Sequence, residues 1–364
     1  MGLPTNCLFC PEDLKTNIWW ASPGARATDP KDYYYGFLGL TNLKLVPDYA
    51  SNISVGLVCQ KFMNKYLTSS LDQTDRPVGG PLGLLMFAGV GYGWDADPDM
   101  PSWGPNFPGQ AQAKTSSRGD SDAIIALDKR GFDCIFEARS DAMITGCRMD
   151  VSVLILDRIQ AIGPRVSDYG RPELLHRTGL PITWPVDFAI RHKSYVSGGH
   201  PLTAFRTLLE PSSLPWYSPD GFPAEDCLDL AKYLAMVGRP IIDGKSRVAF
   251  SRLCYLKDLF DQIPDPDEPE DGTRYFENLG AVTKPYNHTI AETKKGYIGR
   301  FPPKLQEGDL ICLLSGFDQV AVIRQRDKHY EFVGTCFVAG MTQSEQIQPI
   351  VNLYGLKTKN ISLR

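Results

Sequence analysis

The placement of β-type patterning constrains this chain more than any other feature. Runs with strand character occur at Ala123–Leu127, Phe132–Ala138, Ala142–Thr145 and Val151–Ile162, and again at Asp309–Leu314, Val320–Arg324 and Tyr330–Val338. A long stretch of helix and loop signals separates the two groups, so one sheet must draw strands from both halves. No regular alternation of strand and helix is present, which argues against a doubly wound parallel sheet. The pattern predicts an α+β fold: a largely antiparallel sheet or partial β-barrel built from residues 123–162 and 286–342, flanked by several α-helices.

The helices are read from periodicity and caps. Val55, Val58, Cys59, Phe62, Met63, Tyr66 and Leu67 fall on one face and predict a helix over 52–68. Asp29 as cap, Pro30 at the first helical position and Asp32 in the first turn predict a short helix over 30–38. Two more are expected at 224–237, ended by Gly238, and at about 246–262, where Ala249, Leu253, Leu256, Phe260 and Ile263 share a stripe. Residues 97–121, 166–223 and 261–273 read as loops. The last carries six acids and no base, the composition of a solvated excursion. The chain is expected as a single domain 1–364 or as two tightly packed lobes. The first lobe, residues 1–122, would be mostly helix and loop. The second, residues 123–342, would be β-rich with a helical insertion at 224–262, followed by a C-terminal tail 343–364.

Composition narrows the partners. The 364 residues are 43% hydrophobic and 22% charged, enough for one large core or two modest ones. A net charge of −4 gives no basic footprint for nucleic acid. No apolar run approaches the roughly 20 residues of a membrane span, and the N-terminus lacks the pattern of a secretory signal. Nine cysteines is an odd number, and Cys134, Cys312 and Cys336 lie in apolar runs where a thiol acts as a small hydrophobe. A reducing, cytoplasmic setting is the simplest expectation. The 33 glycines and 28 prolines fit many short elements joined by shaped loops.

Known catalytic and cofactor motifs are missing. Cys7-Leu-Phe-Cys10 has metal spacing, but no second such pair exists and the five histidines show no zinc-ligand spacing. Gly89-Val-Gly-Tyr-Gly93 has Trp94 where a dinucleotide fingerprint needs glycine, so it reads as a turn packed beside aromatics. Gly244-Lys245-Ser246 lacks the upstream glycine of a phosphate loop. No nucleophile elbow or His-Glu-x-x-His appears. No cofactor and no metal are expected.

The segment 166–223 instead concentrates His176, Trp184, Asp187, Arg191, His192, Tyr195, His200, Trp216 and Tyr217. Aromatics with a few polar tips line small-molecule pockets. They also pin long loops to a core, and the sequence leaves both readings open. In the pocket reading His192, Tyr195 and His200 are the hydrogen-bond donors, and Trp94, Trp184, Asp187, Trp216 and Tyr217 contact the substrate.

Several phrases, in order, resemble the fungal heterokaryon-incompatibility (HET) family. Ala27-Thr-Asp-Pro-Lys-Asp through Leu40 is similar to its ATDPRD segment, and Val46-Pro-Asp-Tyr49 with the helix after it to its PDYS segment. Met100-Pro-Ser-Trp-Gly-Pro105, Ile144-Thr-Gly-Cys-Arg-Met-Asp150 and Asp157-Arg-Ile159 resemble later phrases. Gly296-Tyr-Ile-Gly299, Gly308-Asp-Leu-Ile-Cys312 and Val333 to Met341 resemble the closing ones. Trp103-Gly-Pro-Asn-Phe107 and Ala339 depart from the family pattern. The phrases of the family's upstream TIR-like half do not occur, so the likeness is to the downstream half. The activity attributed to the missing half is not implied. HET-like proteins of this kind also occur among Diels–Alderases of fungal terpenoid metabolism. The resemblance therefore implies a cofactor-independent cyclase with an apolar small-molecule substrate. The alternative is a non-catalytic incompatibility or immunity regulator with a protein partner.

Overall fold

The computed structural model describes residues 27–40, 43–71, 81–92, 99–112, 135–136, 142–170, 180–209 and 288–364. The strands are β1 (Met143–Thr145), β2 (Arg148–Arg165), β3 (Thr289–Thr293), β4 (Ile298–Phe301), β5 (Leu310–Leu314), β6 (Ala321–Gln325), β7 (Tyr330–Thr335), β8 (Phe337–Val338) and β9 (Thr358–Leu363). The helices are α1 (Asp32–Tyr35), α2 (Val55–Leu71), α3 (Phe107–Gln112), α4 (Leu180–Arg191), α5 (Pro201–Leu209) and α6 (Ser344–Tyr354). Among the described residues no helix is long and apolar enough to cross a membrane.

The long strand β2 organises the sheet. Its first half pairs antiparallel with β1, β9 and β5, and its second half with β3. β4 and β8 extend the sheet beyond β3. From β5 it runs on through β6 to β7, and β7 meets β9 in parallel at one residue pair, Tyr330 with Leu363. β2, β5, β6, β7 and β9 thus form a ring held shut at a single point, which is not a continuous barrel. The architecture is α+β, with a nine-stranded, mostly antiparallel sheet.

Side-chain alternation explains why helices cover both faces. Leu310, Cys312 and Leu314 of β5 join a core with Tyr34, Phe62, Trp103 and Phe107 from the first 112 residues. Ile311 and Leu313 of the same strand join a second core with Phe188, Phe205 and Leu208 from α4 and α5, and with Ile347 and Ile350 from α6. A strand with both faces buried reads as a continuous apolar run, as Leu-Ile-Cys-Leu-Leu does.

β2 changes face along its length. Ile155 lies opposite Cys312 and Asp157 opposite Ile311, so Leu156 is an extra residue on the β2 side. Such a bulge leaves backbone donors to be satisfied locally and bends the strand. Here the Asp157 carboxylate accepts from the Arg158 amide at 2.8 Å and from the Lys295 amide at 3.1 Å. The Lys295 ammonium in turn donates to the Leu156 carbonyl. The bulge thereby fixes the turn between β3 and β4, where the candidate site lies.

Several sequence expectations change. The helix expected over 30–38 is a four-residue α1 continued by a 3-10 turn, and the one expected over 52–68 is α2. Residues 166–223 are not all loop: α4 and α5 lie within them. Residues 343–364 are not an appended tail, because they supply α6 and the strand β9 that pairs with β2. The run Tyr330–Val338 is interrupted at Cys336 into β7 and β8. The helices expected at 224–237 and 246–262, the strand at 123–127, the acidic run 261–273, Cys7–Cys10 and Gly244–Ser246 lie outside the described residues.

Candidate functional site

β3 buries a carboxylate. All five of its residues are buried, and the Glu292 side chain is only 6% exposed. An isolated charge in such a place is strongly unfavourable, so it must be paired. Arg191, the last residue of α4, donates through Nη2 to Oε2 at 2.5 Å. His192, immediately after the helix, donates through Nε2 to Oε1 at 2.7 Å. One carboxylate thus holds two consecutive side chains of a helix end against the sheet.

The rest of the His192 environment leaves its other nitrogen open. The ring packs on Phe188, with centroids 4.6 Å apart. Its Cε1 and Nδ1 edge faces Gly296, in the turn between β3 and β4. A Cβ at Gly296 would sit 3.2 Å from Cε1 and 3.5 Å from Nδ1. Gly296 also has φ +87°, a conformation that favours glycine. Nδ1 has no hydrogen-bond partner among the described residues. With Nε2–H committed to a carboxylate, Nδ1 is an acceptor on neutral imidazole and a donor on imidazolium. The arrangement can hold a carbonyl oxygen or carry a proton at one defined point.

Tyr195 and His200 have other roles. The Tyr195 hydroxyl donates to the Ala339 carbonyl at 2.8 Å and accepts from the Ile298 amide at 3.1 Å. It clasps the segment after α4 to β4, and burial pushes its ionisation far above the ordinary phenol range. His200 precedes α5, and its Nδ1 accepts from the Leu202 amide at 3.2 Å, which caps that helix. Burial pulls its pKa down to about 4, so it is neutral near pH 7. The Tyr195 hydroxyl is thus engaged by the fold through the atom a ligand would need, and His200 Nδ1 serves the helix start.

Trp184 is also corrected, from substrate wall to core residue. It stacks on Phe188 with ring planes 3° apart and fills the space over the bare Cα of Gly163 in β2. Asp187 lies on the exposed side of α4. Trp94, Trp216 and Tyr217 lie outside the described residues.

Other charged and thiol groups are structural. Arg324 meets Asp309 through two contacts of 2.8 and 2.9 Å, and Asp309 also accepts from the Gln306 amide. Burial pushes the Cys59 thiol up to about 12 and raises Cys312 and Cys336 as well, so none is a ready thiolate. Among the described residues no group of three His, Cys, Asp or Glu side chains is placed to hold a metal ion. Gly89 and Gly91 press their bare Cα atoms against Val333 of β7, a backbone approach and not a phosphate cradle.

Sequence reasoning missed Glu292. Its one local signal is an acid inside Thr289-Ile-Ala-Glu-Thr293, just before Lys-Lys-Gly, where a strand should be running into a turn. The site therefore belongs to an α+β protein in which a helix end and a hairpin turn share one buried carboxylate. No family model, no curated protein and no solved structure matches the chain.

Proposed function

We propose that this chain is a cofactor-independent natural-product cyclase of the Diels–Alderase type, with His192 as the hydrogen-bonding residue that meets the substrate. The supporting observation is the open Nδ1 of His192, held beside Gly296 by a buried and doubly paired Glu292. In a [4+2] closure three π bonds are consumed and two C–C σ bonds and one π bond form. Nothing leaves, and no redox partner is needed. Such a reaction asks the protein for a folded substrate conformer and for a donor aimed at a conjugated carbonyl, where negative charge grows in the transition state. His192 supplies that donor as the imidazolium, with Nε2–H on Glu292 and Nδ1–H open, and a donor fixed by a buried carboxylate needs no reorganisation when that charge appears. Positioning and one such donor together account for about 5–7 kcal/mol, around 10⁴–10⁵-fold. The apolar substrate class comes from the HET-like resemblance.

The test is incubation of purified protein with linear or monocyclic terpenoid and polyketide polyene carbonyls, read as a product of unchanged mass and shorter conjugation. The expected result is acceleration over buffer by the wild type. His192→Gln should lower it by about 10²-fold, as loss of one preorganised donor does. No acceleration with any precursor overturns the reading. Acceleration that survives His192→Gln overturns the role of His192.

A further inference from the structure

The turn that faces the open edge of His192 is tied to its surroundings by a lysine. Within the turn, the Gly296 amide donates to the Thr293 carbonyl at 3.0 Å and the Tyr297 amide to Thr293 Oγ1 at 3.0 Å. Those bonds set the shape of the turn but not its place against α4, which is a separate element. Lys294 and Lys295 look interchangeable in sequence and differ in the fold. Lys294 is exposed, whereas Lys295 is half-buried and reaches from the turn to two other elements. Its ammonium donates to the carbonyl of Leu156, the bulged residue of β2, and stands 4.1 Å from the centre of the Tyr354 ring, the last residue of α6. Tyr354 is itself fixed, because Ile347 and Ile350 seat α6 in the core and Gly355 ends the helix with φ +56°. Desolvation lowers the pKa of Lys295 against the opposing effect of Asp157, and a cation shielded from water holds a ring face more strongly.

We propose that Lys295 is a positioning residue for the His192 site. By tying the turn between β3 and β4 to the bulge of β2 and to the end of α6, it sets where Gly296 stands against the Cε1 and Nδ1 edge of the imidazole. The inference deepens the cyclase reading and rests on it for the reaction, though not for its test, which needs no substrate. A polar atom serves one substrate atom only while its surroundings are held to within about 0.5 Å, and the residues that hold them act without touching the ligand. Lys295 acts in this way through Gly296. A Cβ there would already lie 3.2 Å from Cε1 and 3.5 Å from Nδ1, so a small displacement of the turn opens or closes that edge.

The probe is diethyl pyrocarbonate, which acylates an imidazole nitrogen that carries a free lone pair, so on neutral His192 its target is the open Nδ1. The rate at His192 is followed by peptide mass mapping and taken as the limit reached when the pH is raised, so that a change in protonation does not enter. Lys295→Met should raise that rate by about threefold or more, and Tyr354→Leu should raise it too. The double variant should go no further than Lys295→Met alone, because Tyr354 acts through that ammonium. Lys294→Met should leave the rate unchanged. His200, whose Nδ1 is spent at the start of α5, should keep its own rate throughout. Unchanged His192 rates in both Lys295→Met and Tyr354→Leu would overturn the proposal, as would additive effects or an equal response to Lys294→Met. A parallel rise at His200 would overturn it as well, by showing general loosening. A chain that follows the expected pattern and cyclises no polyene would leave Lys295 in its role and the cyclase reading fallen. Cyclisation without any response at His192 would do the reverse.

Discussion

His200 accepts the Leu202 amide hydrogen through Nδ1 only while that nitrogen carries no proton. Its pKa is about 4 in the fold against 6.5 in an unfolded chain, because burial disfavours the charged ring. Between those values the unfolded state binds more protons than the folded one, so stability rises with pH across that window. The cap is fully effective above about pH 6.5 and is lost as the pH falls toward 4. Asparagine caps helices well and does not titrate. Thermal melts from pH 7 to 4.5 should show the wild type losing more stability than His200→Asn, the two curves diverging below about pH 6.5. Parallel curves would mean that the Nδ1 contact is not formed in solution. His192 behaves differently, though it lies on the same connection. Its nitrogen toward the protein donates to a carboxylate, so protonation leaves that contact intact.

Elements were legible where a pattern was long or strictly periodic. α2 carries a seven-residue apolar stripe, β5 is a continuous apolar run and β6 opens with one, so each forms where local patterning places it. α4 was hidden by Pro185 inside it, which signals a break, although its apolar residues pack on the sheet strongly enough to override the missing hydrogen bond. α5 is buried nearly all round, and its apolar Leu202, Phe205, Leu208 and Leu209 lie within nine residues, too short a run to stand out between loop signals. β9 has only two buried residues in six, so its strand character comes from pairing with β2 and not from its own sequence. The candidate site was half legible. His192 stood out by residue type, but its partner Glu292 lies a hundred positions away in sequence, and no spacing rule connects a helix end to a hairpin strand. Tyr195 lies on the same connection as His192, and only the fold shows that its hydroxyl is spent on Ala339 and Ile298. Glycines are the clearest case of an element dictating a residue. At Gly89 φ is +126° and a Cβ would lie 2.4 Å from the Val333 carbonyl oxygen. Gly89→Ala should therefore cost at least about 2 kcal/mol in urea denaturation. Gly39→Ala, with nothing within 4 Å, should stay within about 0.5 kcal/mol. Equal effects would show that the turn at 89 does not press on β7.

The molecule as a whole is two cores on the two sides of one sheet, and that sharing predicts how it unfolds. Leu363 of β9 is fully buried with Phe62 and Trp103, and it lies opposite both Met149 and Tyr330 at the point where the ring closes. Leu208 of α5 is fully buried in the other core with Phe188 and Ile311. Further contacts tie the first layer to the sheet. Ser102 donates to the Arg364 carbonyl and accepts from the Phe332 amide, and the Trp103 indole donates to the Cys147 carbonyl at 3.1 Å. Truncating either leucine to alanine should cost about 2–5 kcal/mol, the usual range for a buried leucine. If the sheet makes the two cores one cooperative unit, calorimetry should show the same single transition lowered in both variants. Independent lobes would instead give a second, unmoved transition in each, with Leu363→Ala shifting one and Leu208→Ala the other. The alternation along β5 argues for the first outcome. Adjacent residues of one strand face opposite cores, so neither core can lose its order while that strand remains paired for the other. The site would then share the stability of the whole sheet, because Glu292 and Gly296 belong to the hairpin of β3 and β4, and β3 is paired with β2.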